Sequence, residues 1–482
     1  MELTLLLCVI GVVVADSPKH YDTIVVGLGS AGVTAASTLA RAGRRVLGIE
    51  AQGRVGGRVY TVPFGDGVVE LGGEWVLGTK NSPTYAAAQQ HNISIIPQEW
   101  NILTYYSDGT AADSKLISHF SELADESFNE GPEPPEAQGN FTTRKIMEDI
   151  TKNRPDLLKD QDFISGLLTF IELMVDNLEG SNDWNEVTTG GDYEDLEGPQ
   201  SLSFHRHGYK TFFDIMLNTY KGGPGLPNLD IKLNTEVKVI RSPQHPTEKV
   251  IVECSDGSTY VADNVIVTVS LGVLKAKKSS LFSPPLPKDK QTAIDKISMG
   301  VLDKVVLAFD EPWWTQNVSR LLFIWKEADK NKVPVSDLWT TKILGASRPM
   351  GSSNTLTLWI SGNTAKEVEA LPEDTVKAKC VELLQKFVGD TLKITVPQPN
   401  AILRTTWYSN PHTRGSYTFD NTLTPDYPDA RDWLASPILD SAETPRILFA
   451  GEATNRRHFG TVHGASETGY REAKRLLPDI AK

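Results

Sequence analysis

A glycine-rich segment near the start of the chain, "YDTIVVGLGSAGVTAASTLARAGRRVLGIE", constrains the fold more than any other stretch. An apolar strand runs into three glycines with the spacing G-x-G-x-x-G, and an alanine-rich helix and a second strand follow. The first glycine permits a tight turn, the second lets the main chain approach a phosphate, and the third lets the helix pack on the strand. The segment therefore predicts a β-α-β unit that binds a dinucleotide, with its diphosphate at the start of the helix.

This segment supplies the first candidates for cofactor binding. Main-chain amides at the start of the helix have no partner within the helix and carry its positive dipole end, so they suit a diphosphate. Glu50 ends the second strand, 18 residues after Gly32, where a carboxylate can accept hydrogen bonds from ribose hydroxyls. The candidates are Gly27, Gly29, Ser30, Ala31, Gly32 and Glu50.

Length, charge and cysteine content narrow the class of protein. The chain has 482 residues, more than one hydrophobic core usually supports, so we expect two domains. A formal net charge of -13 argues against nucleic acid or an anionic membrane as the partner and favours a cationic one. The spacing of its cysteines and histidines is neither that of a disulfide framework nor that of zinc ligands. We therefore expect no metal site.

The first 15 residues, "MELTLLLCVIGVVVA", have the features of a secretory signal. Their apolar run is too short to span a bilayer and ends in small residues, although Glu2 stands where a basic residue is usual. Three N-x-S/T triplets begin at Asn92, Asn140 and Asn317. We expect a secreted protein, or one in the secretory pathway lumen, that is N-glycosylated at these sites and has no membrane span after cleavage.

Several further segments carry a resemblance to one family of flavoproteins. These segments are "EAQGRVGGR", "VIVTVSLGVLK", "WYSNPHTRGSYT", "GEAT", "VHGA" and "GYREAKRLL". They resemble the flavin-dependent amine oxidases, most closely the animal polyamine oxidases that act on spermine or N-acetylpolyamines. The resemblance runs from about residue 20 to the end of the chain and is thin between residues 95 and 200.

The resemblance implies a fold that combines α/β and α+β architecture. A Rossmann-like FAD-binding domain of the GR2 flavoprotein type would carry an inserted substrate domain built on a mixed sheet. The order of the motifs assigns residues 16–90, 200–282 and 402–482 to the FAD-binding domain. Residues 91–199 and 283–401 would then form the substrate-binding domain.

The resemblance also implies further contacts to FAD. The cofactor is expected to be non-covalent, because no cysteine lies near 410–417, where monoamine oxidases attach it. Glu452 follows an apolar strand and suits the ribityl hydroxyls, while a helix that begins at Thr461 and Val462 would stabilise negative charge on a reduced flavin. The remaining family positions fall on Arg54, Gly57, Arg58, Gly72, Gly73, Glu74, Trp75, Val237 and Trp407.

Lys304, in "MGVLDKVVLAFD", is the leading catalytic candidate. On a strand it shares a face with Val306 and Ala308, and both faces of that strand are apolar. The pattern alone allows either a solvated strand end or a buried functional group. The resemblance favours the second, because a lysine at this position in the family holds a water near flavin N5.

Three residues are expected to shape the substrate pocket. The resemblance makes Tyr417 a second catalytic candidate, as one wall of the aromatic slot that guides an amine to the flavin, with Thr461 opposite. Leu77 departs from the family, which usually has histidine or glutamate there to hold a polyamine nitrogen. Leucine can neither accept a hydrogen bond nor pair with an ammonium. Another acid would then have to hold the polyamine nitrogen. The acidic stretch "DYEDLEG" at 192–198 is one source, although such stretches are usually solvated.

The expected activity is oxidation of an amine by FAD and oxygen. Hydride would pass from the carbon beside nitrogen to flavin N5, giving an aldehyde, an amine and hydrogen peroxide. Polyamines such as spermine, spermidine or their N-acetyl derivatives are the expected substrates. Leu77 keeps open an aromatic or small monoamine as the substrate, and the third alternative is a catalytically silent FAD-binding protein.

Overall fold

The computed structural model describes residues 20–129, 131–315 and 317–477. The predicted signal segment lies outside these residues. The strands are His20–Val26 (β1), Val46–Ile49 (β2), Thr61–Phe64 (β3), Gly67–Glu70 (β4), Ile96–Pro97 (β5), Ile102–Tyr106 (β6), Leu202–Ser203 (β7), Leu229–Lys232 (β8), Val237–Arg241 (β9), Val250–Cys254 (β10), Thr259–Val267 (β11), Phe282–Ser283 (β12), Ser298–Met299 (β13), Leu302–Ala308 (β14), Arg320–Ile324 (β15), Gly345–Ser347 (β16), Thr355–Ser361 (β17), Ala401–Arg404 (β18), Thr418–Phe419 (β19), Ile438–Leu439 (β20) and Pro445–Phe449 (β21).

The helices alternate with these strands along the chain. They are Ser30–Arg41 (α1), Pro83–Gln90 (α2), Ser114–Asn129 (α3), Gln138–Asn153 (α4), Gln161–Glu179 (α5), Lys210–Met216 (α6), Leu271–Leu281 (α7), Lys288–Lys296 (α8), Glu327–Lys330 (α9), Gly362–Ala370 (α10), Glu373–Leu384 (α11), Asp390–Leu392 (α12), Ala430–Ala435 (α13) and Val462–Arg475 (α14). In the ranges that the structure covers, no helix combines the length and apolar character needed to cross a bilayer.

The predicted β-α-β unit lies at the centre of a nine-stranded sheet. Strand β1 pairs in parallel with β2 on one side and with β11 on the other, and β21 extends the parallel part beyond β11. Strands β9, β10 and β11 pair antiparallel, so the sheet is mixed. Both faces are buried, since Val25 packs on the α1 side and Ile24 on the other. The expectation of a mixed helix-and-sheet protein is therefore confirmed.

A six-stranded sheet carries the second half of the molecule. Its order is β18-β14-β17-β16-β15-β6, antiparallel except for the parallel pair β15 and β6. Along β14 the side chains alternate, so Val305 and Leu307 enter one apolar core while Val306 packs on Val69 and Leu71. Lys304 has the same parity as Val306, which turns it towards the segment that follows β4.

Helices α3, α4 and α5 form a layer against the six-stranded sheet. Their apolar faces meet side chains of β15 in one core, which includes Phe120, Phe170 and Ile324. Helix α5 begins where the Asp160 side chain accepts from the Phe163 amide, and it ends at Gly180, whose φ is 69°. The last residue of the helix, Glu179, is thereby placed beside the cavity described next.

Candidate active site

One cavity of about 900 Å³ is lined by the glycine turn of the first sheet, the face of β14 that carries Lys304, and the layer of α3 and α5. Its lining includes every candidate of the sequence analysis except Gly32 and Arg54. The candidates that line it are Gly27, Gly29, Ser30, Ala31, Glu50, Gly57, Arg58, Gly72, Gly73, Glu74, Trp75, Leu77, Val237, Lys304, Trp407, Tyr417, Glu452, Thr461 and Val462. Residues far apart in sequence thus meet at one place.

The glycine turn provides the space that a dinucleotide requires. Gly27 has φ of 93°, in the left-handed region that favours glycine. A Cβ on Gly32 would lie 1.9 Å from the Gly27 carbonyl oxygen, so Gly32 acts through helix packing and does not face the cavity. Gly29 is the N-cap residue of helix α1, and no side chain caps the first amides of the helix. The helix start therefore offers its amides to a diphosphate, and the residues present fit the cofactor.

Glu50 is held rigidly by the main chain. One carboxylate oxygen accepts from the Leu28 amide at 2.8 Å, and the other accepts from the Gln52 amide at 2.9 Å. Each oxygen has a further lone pair. The buried carboxylate can therefore accept from ribose hydroxyls without moving.

The two arginines of the segment 54–58 have different positions. Arg54 turns away from the cavity, donates to the carbonyls of Val55, Gly57 and Val59, and lies over the Tyr60 ring. Arg54 therefore lies within the loop and stabilises its conformation through these hydrogen bonds. Arg58, by contrast, lines the cavity.

Arg58 connects this loop to the C-terminal motif. It donates to Glu452 at 2.9 Å and to the Ser416 carbonyl at 2.8 Å. The second Glu452 oxygen accepts from the Thr418 hydroxyl at 2.7 Å. Burial alone would raise the pKa of Glu452, but Arg58 and these hydrogen bonds lower it overall. Glu452 is therefore an anchored carboxylate on the cavity wall.

Lys304 is buried, with 3% exposure, and its ammonium is fully bonded to the protein. It donates to the carbonyls of Glu70 at 2.8 Å and Gly72 at 3.0 Å, and to the Glu74 carboxylate at 2.9 Å. An ammonium has three donors, so these acceptors use all of them. Lys304 consequently fixes the segment 70–74 against β14 at the cavity.

Aromatic rings surround this lysine. The ammonium lies 4.4 Å from the centre of the Trp359 ring, which stacks on Trp75 at 5.8 Å. Trp75 donates to Gln98 at 2.6 Å, and Trp407 donates to the Leu71 carbonyl at 3.2 Å. Each indole N–H is satisfied while its ring lines the cavity, which gives a rigid apolar wall.

Tyr417 and Thr461, the residues expected to form the slot, both line the cavity. The Tyr417 hydroxyl donates to the carbonyls of Leu178 at 2.9 Å and Asn177 at 3.1 Å, and burial raises its pKa. Thr461 caps helix α14 by accepting from the Gly464 amide at 2.9 Å. The positive end of α14 therefore faces the cavity beside Val462.

The sequence analysis missed seven charged residues of the lining as individual candidates, namely Asp125, Glu179, Asp195, Glu236, Lys277, Arg320 and Asp420. Glu179 and Asp125 come from α5 and α3, Asp195 from the acidic stretch, and Arg320 from the start of β15. Burial, and then Asp420, raises the pKa of Glu179 to about 7. Burial, and then Asp195, raises that of Asp125. These acids can attract a cationic substrate into the cavity.

The acidic stretch 192–198 divides between the surface and the cavity. Asp192 and Glu194 pair with Arg456 and Arg457 at exposed positions, whereas Asp195 lines the cavity. Leu77 also lines the cavity and is half-buried. The acidic stretch therefore supplies one acid to the cavity that Leu77 lines. For Arg320, the sequence shows only a polar residue at the start of a strand, which does not indicate a place in a cavity.

A group with metal-ligand chemistry lies outside the cavity. Within the described part of the chain, single ligand atoms of His458, His463 and Glu467 lie within 4.8 Å of one another. His458 already bonds Glu467 at 2.7 Å, and Asn455 donates to the same oxygen at 2.9 Å. Burial, and then His458, lowers the pKa of His463 to about 3. These bonds account for the group as a structural network.

A glycine turn for a dinucleotide, an anchored acid and an aromatic wall around a buried lysine define a flavin-dependent oxidoreductase. Residues 30–477 match the family of flavin containing amine oxidoreductases, and the chain belongs to that family. It is an FAD-dependent amine oxidase whose flavin is bound non-covalently in a Rossmann-like fold. The family resemblance seen in the motifs is confirmed.

Individual relatives match over nearly the whole chain. The peroxisomal N(1)-acetyl-spermine/spermidine oxidases of Bos taurus and Homo sapiens are 29% and 28% identical, and each alignment covers 96% of both chains. The probable polyamine oxidase 5 of Arabidopsis thaliana is 26% identical over 95% of this chain and 98% of its own.

The prediction of secretion is wrong. The two animal relatives are named as peroxisomal, which points away from export. The apolar N-terminal run resembles a signal, but Glu2 replaces the basic residue that precedes the apolar core of a secretory signal. Without export, the reason to expect glycosylation at Asn92, Asn140 and Asn317 is lost as well.

Proposed function

We propose that the protein oxidises polyamines, and that the 900 Å³ cavity holds FAD at its glycine end and the amine at its charged end. The observation that carries this proposal is the meeting of Glu179, Asp195 and Asp125 in the same cavity as Lys304. A polyamine is a flexible polycation, and carboxylates along the cavity stabilise its ammonium groups. The relatives' names, which specify N(1)-acetyl-spermine and spermidine, support this substrate class.

The reaction is the oxidation of a carbon–nitrogen single bond. The chemistry that bound FAD would supply is acceptance of a hydride from the carbon beside a neutral amine nitrogen, and oxygen would then take up both electrons as hydrogen peroxide. Water hydrolyses the resulting imine. The overall balance is one amine, one oxygen and one water converted to one aldehyde, one amine and one hydrogen peroxide.

The residues of the cavity have separate roles in this proposal. Lys304 and Glu74 keep the segment 70–74 in place beside the reacting carbon, and Tyr417 orients the amine along the aromatic wall. The helix that begins at Thr461 supports negative charge. Trp75 and Trp407 exclude water, which strengthens every charge interaction inside the cavity.

The two sheets support the predicted division into domains. The nine-stranded sheet draws on residues 20–49, 229–283 and 438–449, which belong to segments assigned to FAD. The six-stranded sheet draws on residues 102–106 and 302–404. We propose that these sheets form the FAD-binding and substrate-binding domains.

A monoamine is the second candidate substrate, and Leu77 favours it. This residue places an aliphatic side chain in the cavity where a polar group would help to hold a second nitrogen. A small or aromatic monoamine needs only one ammonium site. The acids Glu179 and Asp195 favour the polyamine, because one ammonium does not require several carboxylates in the same cavity.

Anaerobic bleaching of the flavin absorbance tests the proposal. Spermine, spermidine, their N-acetyl derivatives and aromatic monoamines would be added separately to the FAD-bound protein. Oxygen would then be readmitted and peroxide assayed. We expect rapid bleaching by polyamines and one peroxide per flavin reoxidised. Bleaching by monoamines alone would establish the second candidate, and a flavin that no amine reduces would contradict both.

A further inference from the structure

The residue before Lys304 is a buried acid that faces away from the cavity. Asp303 and Lys304 are neighbours on strand β14, so their side chains leave opposite faces of that strand. Asp303 shares its face with Val305, which belongs to the same apolar core as Val368 of helix α10. Asp303 is 3% exposed, and a carboxyl buried to this extent requires partners.

Asp303 binds the loop that brings Trp407 to the cavity. One of its oxygens, Oδ1, accepts from the Thr405 hydroxyl at 2.6 Å and from the Trp407 amide at 3.2 Å. The Trp407 ring lines the cavity, and its indole N–H donates to the Leu71 carbonyl at 3.2 Å. Trp407 therefore joins the back of β14, through its main chain, to the cavity wall, through its ring.

Glu369 of helix α10 holds the next two residues of the same loop. Its two oxygens accept from the amides of Tyr408 and Ser409, each at 2.8 Å. The three successive amides of residues 407–409 thus donate to two carboxyl groups. Because successive Cα atoms are only about 3.8 Å apart, carboxyl groups that accept from neighbouring amides lie beside each other.

One oxygen of these two carboxyl groups has no donor. Asp303 Oδ2 is buried, and no donor within the described residues reaches it, whereas Oδ1 and both oxygens of Glu369 accept hydrogen bonds. Two adjacent carboxylates repel each other, and one proton between them removes the repulsion and supplies the missing hydrogen bond. Burial and, after it, a hydrogen bond with the Glu369 side chain raise the pKa of Asp303 to about 8.

The cations on the elements around Asp303 have other partners. Lys366 of α10 donates to an asparagine of its own helix at 2.9 Å, and Arg404 of β18 donates to two carbonyls at the end of α10. Arg404 also lies 3.9 Å from Glu373, and Lys304 is fully bonded on the cavity face of β14. No cation among the residues described forms an ion pair with either carboxyl group, so a proton is left to balance their charge.

We propose that Asp303 and Glu369 share one proton and act as positioning residues that hold Trp407 in the wall of the cavity. This inference rests on the proposed function, which places FAD and the amine along that wall. With the proton on Oδ2, Asp303 donates to Glu369 while all three amides keep their acceptors. Loss of the proton leaves two adjacent carboxylates, whose repulsion displaces Glu369 and the amides that it holds.

Two isosteric substitutions separate the shared proton from packing. Asp303→Asn places an NH₂ group where the proton is proposed and keeps an oxygen for the Trp407 amide, so it mimics the protonated pair at every pH. Glu369→Gln turns one accepting oxygen into an NH₂ group, which meets a main-chain N–H and repels it. Asp310→Asn is the matched control, because Asp310 is exposed just beyond β14 and accepts from Asn400 at 3.0 Å.

The first readout is the rate of anaerobic flavin reduction by spermine, expressed at each pH as a ratio to the wild type, which cancels the ionisation of the amine. The folded wild type keeps the shared proton below about pH 8 and loses it above, because the pKa of Asp303 is raised to about 8. We expect the ratio for Asp303→Asn to rise about 10-fold between pH 7 and pH 10, since a displaced wall misplaces the reactants. Glu369→Gln should be about 10-fold slower than the wild type at pH 7, and Asp310→Asn should follow the wild type throughout. A ratio for Asp303→Asn that stays constant over this range would overturn the proposal.

Visible circular dichroism of the bound flavin gives a second readout that needs no turnover. We expect the wild-type spectrum to change between pH 7 and pH 10 and that of Asp303→Asn to stay constant, with Trp407→Phe identifying the bands that depend on this ring. The same pH dependence in the wild type and in Asp303→Asn would contradict the shared proton. A pH-dependent spectrum that Asp303→Asn abolishes, in a protein whose flavin no amine reduces, would refute the proposed function but leave this inference standing.

Discussion

The two ends of the cavity are built in different ways. The end that we assign to the cofactor is made mainly of main chain and glycine, with Gly27 and Gly29 in one turn and Gly57 in the loop that follows β2. The substrate end is made of side chains such as Glu179, Asp195 and Arg320. Main-chain geometry is encoded locally by glycine spacing, whereas a charge in a cavity is placed by tertiary packing. The first end therefore keeps a recognisable motif, and the second can change its chemistry by single substitutions.

The largest effect is expected from Gly32→Val, which attacks the cofactor end. A Cβ at this position would lie 1.9 Å from the Gly27 carbonyl oxygen, so the helix must move away from the turn. We expect the purified protein to lose FAD and its free energy of unfolding to fall by about 1–3 kcal/mol. Flavin absorbance and thermal unfolding measure both effects.

Thr38→Val in the same helix is the control, because it adds no bulk beside the turn. It should retain FAD. Retention of FAD by Gly32→Val would show that main-chain packing does not control the cofactor end.

Lys304→Met tests the contact between Lys304 and the segment 70–74 in the cavity wall. It removes all three bonds to the segment 70–74, so flavin reduction or reoxidation should slow by about 10-fold or more while FAD stays bound. Lys290→Met is a matched control, because Lys290 is also buried and donates only to carbonyls outside the cavity.

Stopped-flow absorbance should show wild-type flavin kinetics for Lys290→Met, together with lower thermal stability. Wild-type kinetics in Lys304→Met would remove this lysine from the catalytic account.

Glu179→Gln examines the acidic side of the substrate end. The pKa of Glu179 is raised to about 7, first by burial and then by Asp420, so the folded protein ionises it only as pH rises through 7. Its attraction for an ammonium is present above pH 7 and lost below. We expect the variant to raise KM for spermine about 10-fold at pH 8, with a difference that fades near pH 6.

Glu194→Gln is the control within the acidic stretch, since Glu194 pairs with Arg457 at an exposed position. It should change KM little at either pH. A Glu179→Gln effect that is independent of pH would contradict an ionised carboxylate as the binding group.

The smallest effect is expected from Leu77→Glu. The side chain lines the cavity at a half-buried position, where a carboxylate would add one more partner for an ammonium. We expect a roughly threefold lower KM for spermine and no change for an aromatic monoamine. Leu77→Met, of similar volume, should alter neither KM in steady-state assays. An increased KM for spermine would show that this wall excludes charge.

Sequence reasoning anticipated the cofactor end better than the substrate end. The β-α-β unit was predictable, because glycine spacing and strand alternation act locally, whereas the place of Lys304 at the cavity was expected only from the family resemblance. Arg54 was expected at the cofactor from the family resemblance and does not line the cavity, since a pattern of letters does not show which way a loop turns its arginine. Arg320 was missed because a polar residue at a strand start usually meets solvent. Only the packing of β15 against the cavity brings it into the lining.

A crystal structure with FAD and a long α,ω-diaminoalkane would test the central claim most directly. The account predicts FAD against the glycine turn and the diamine in the same cavity, with one ammonium within about 4 Å of the Glu179 or Asp195 carboxylate. A diamine bound outside this cavity, or with no ammonium near either acid, would contradict the division into a cofactor end and a substrate end.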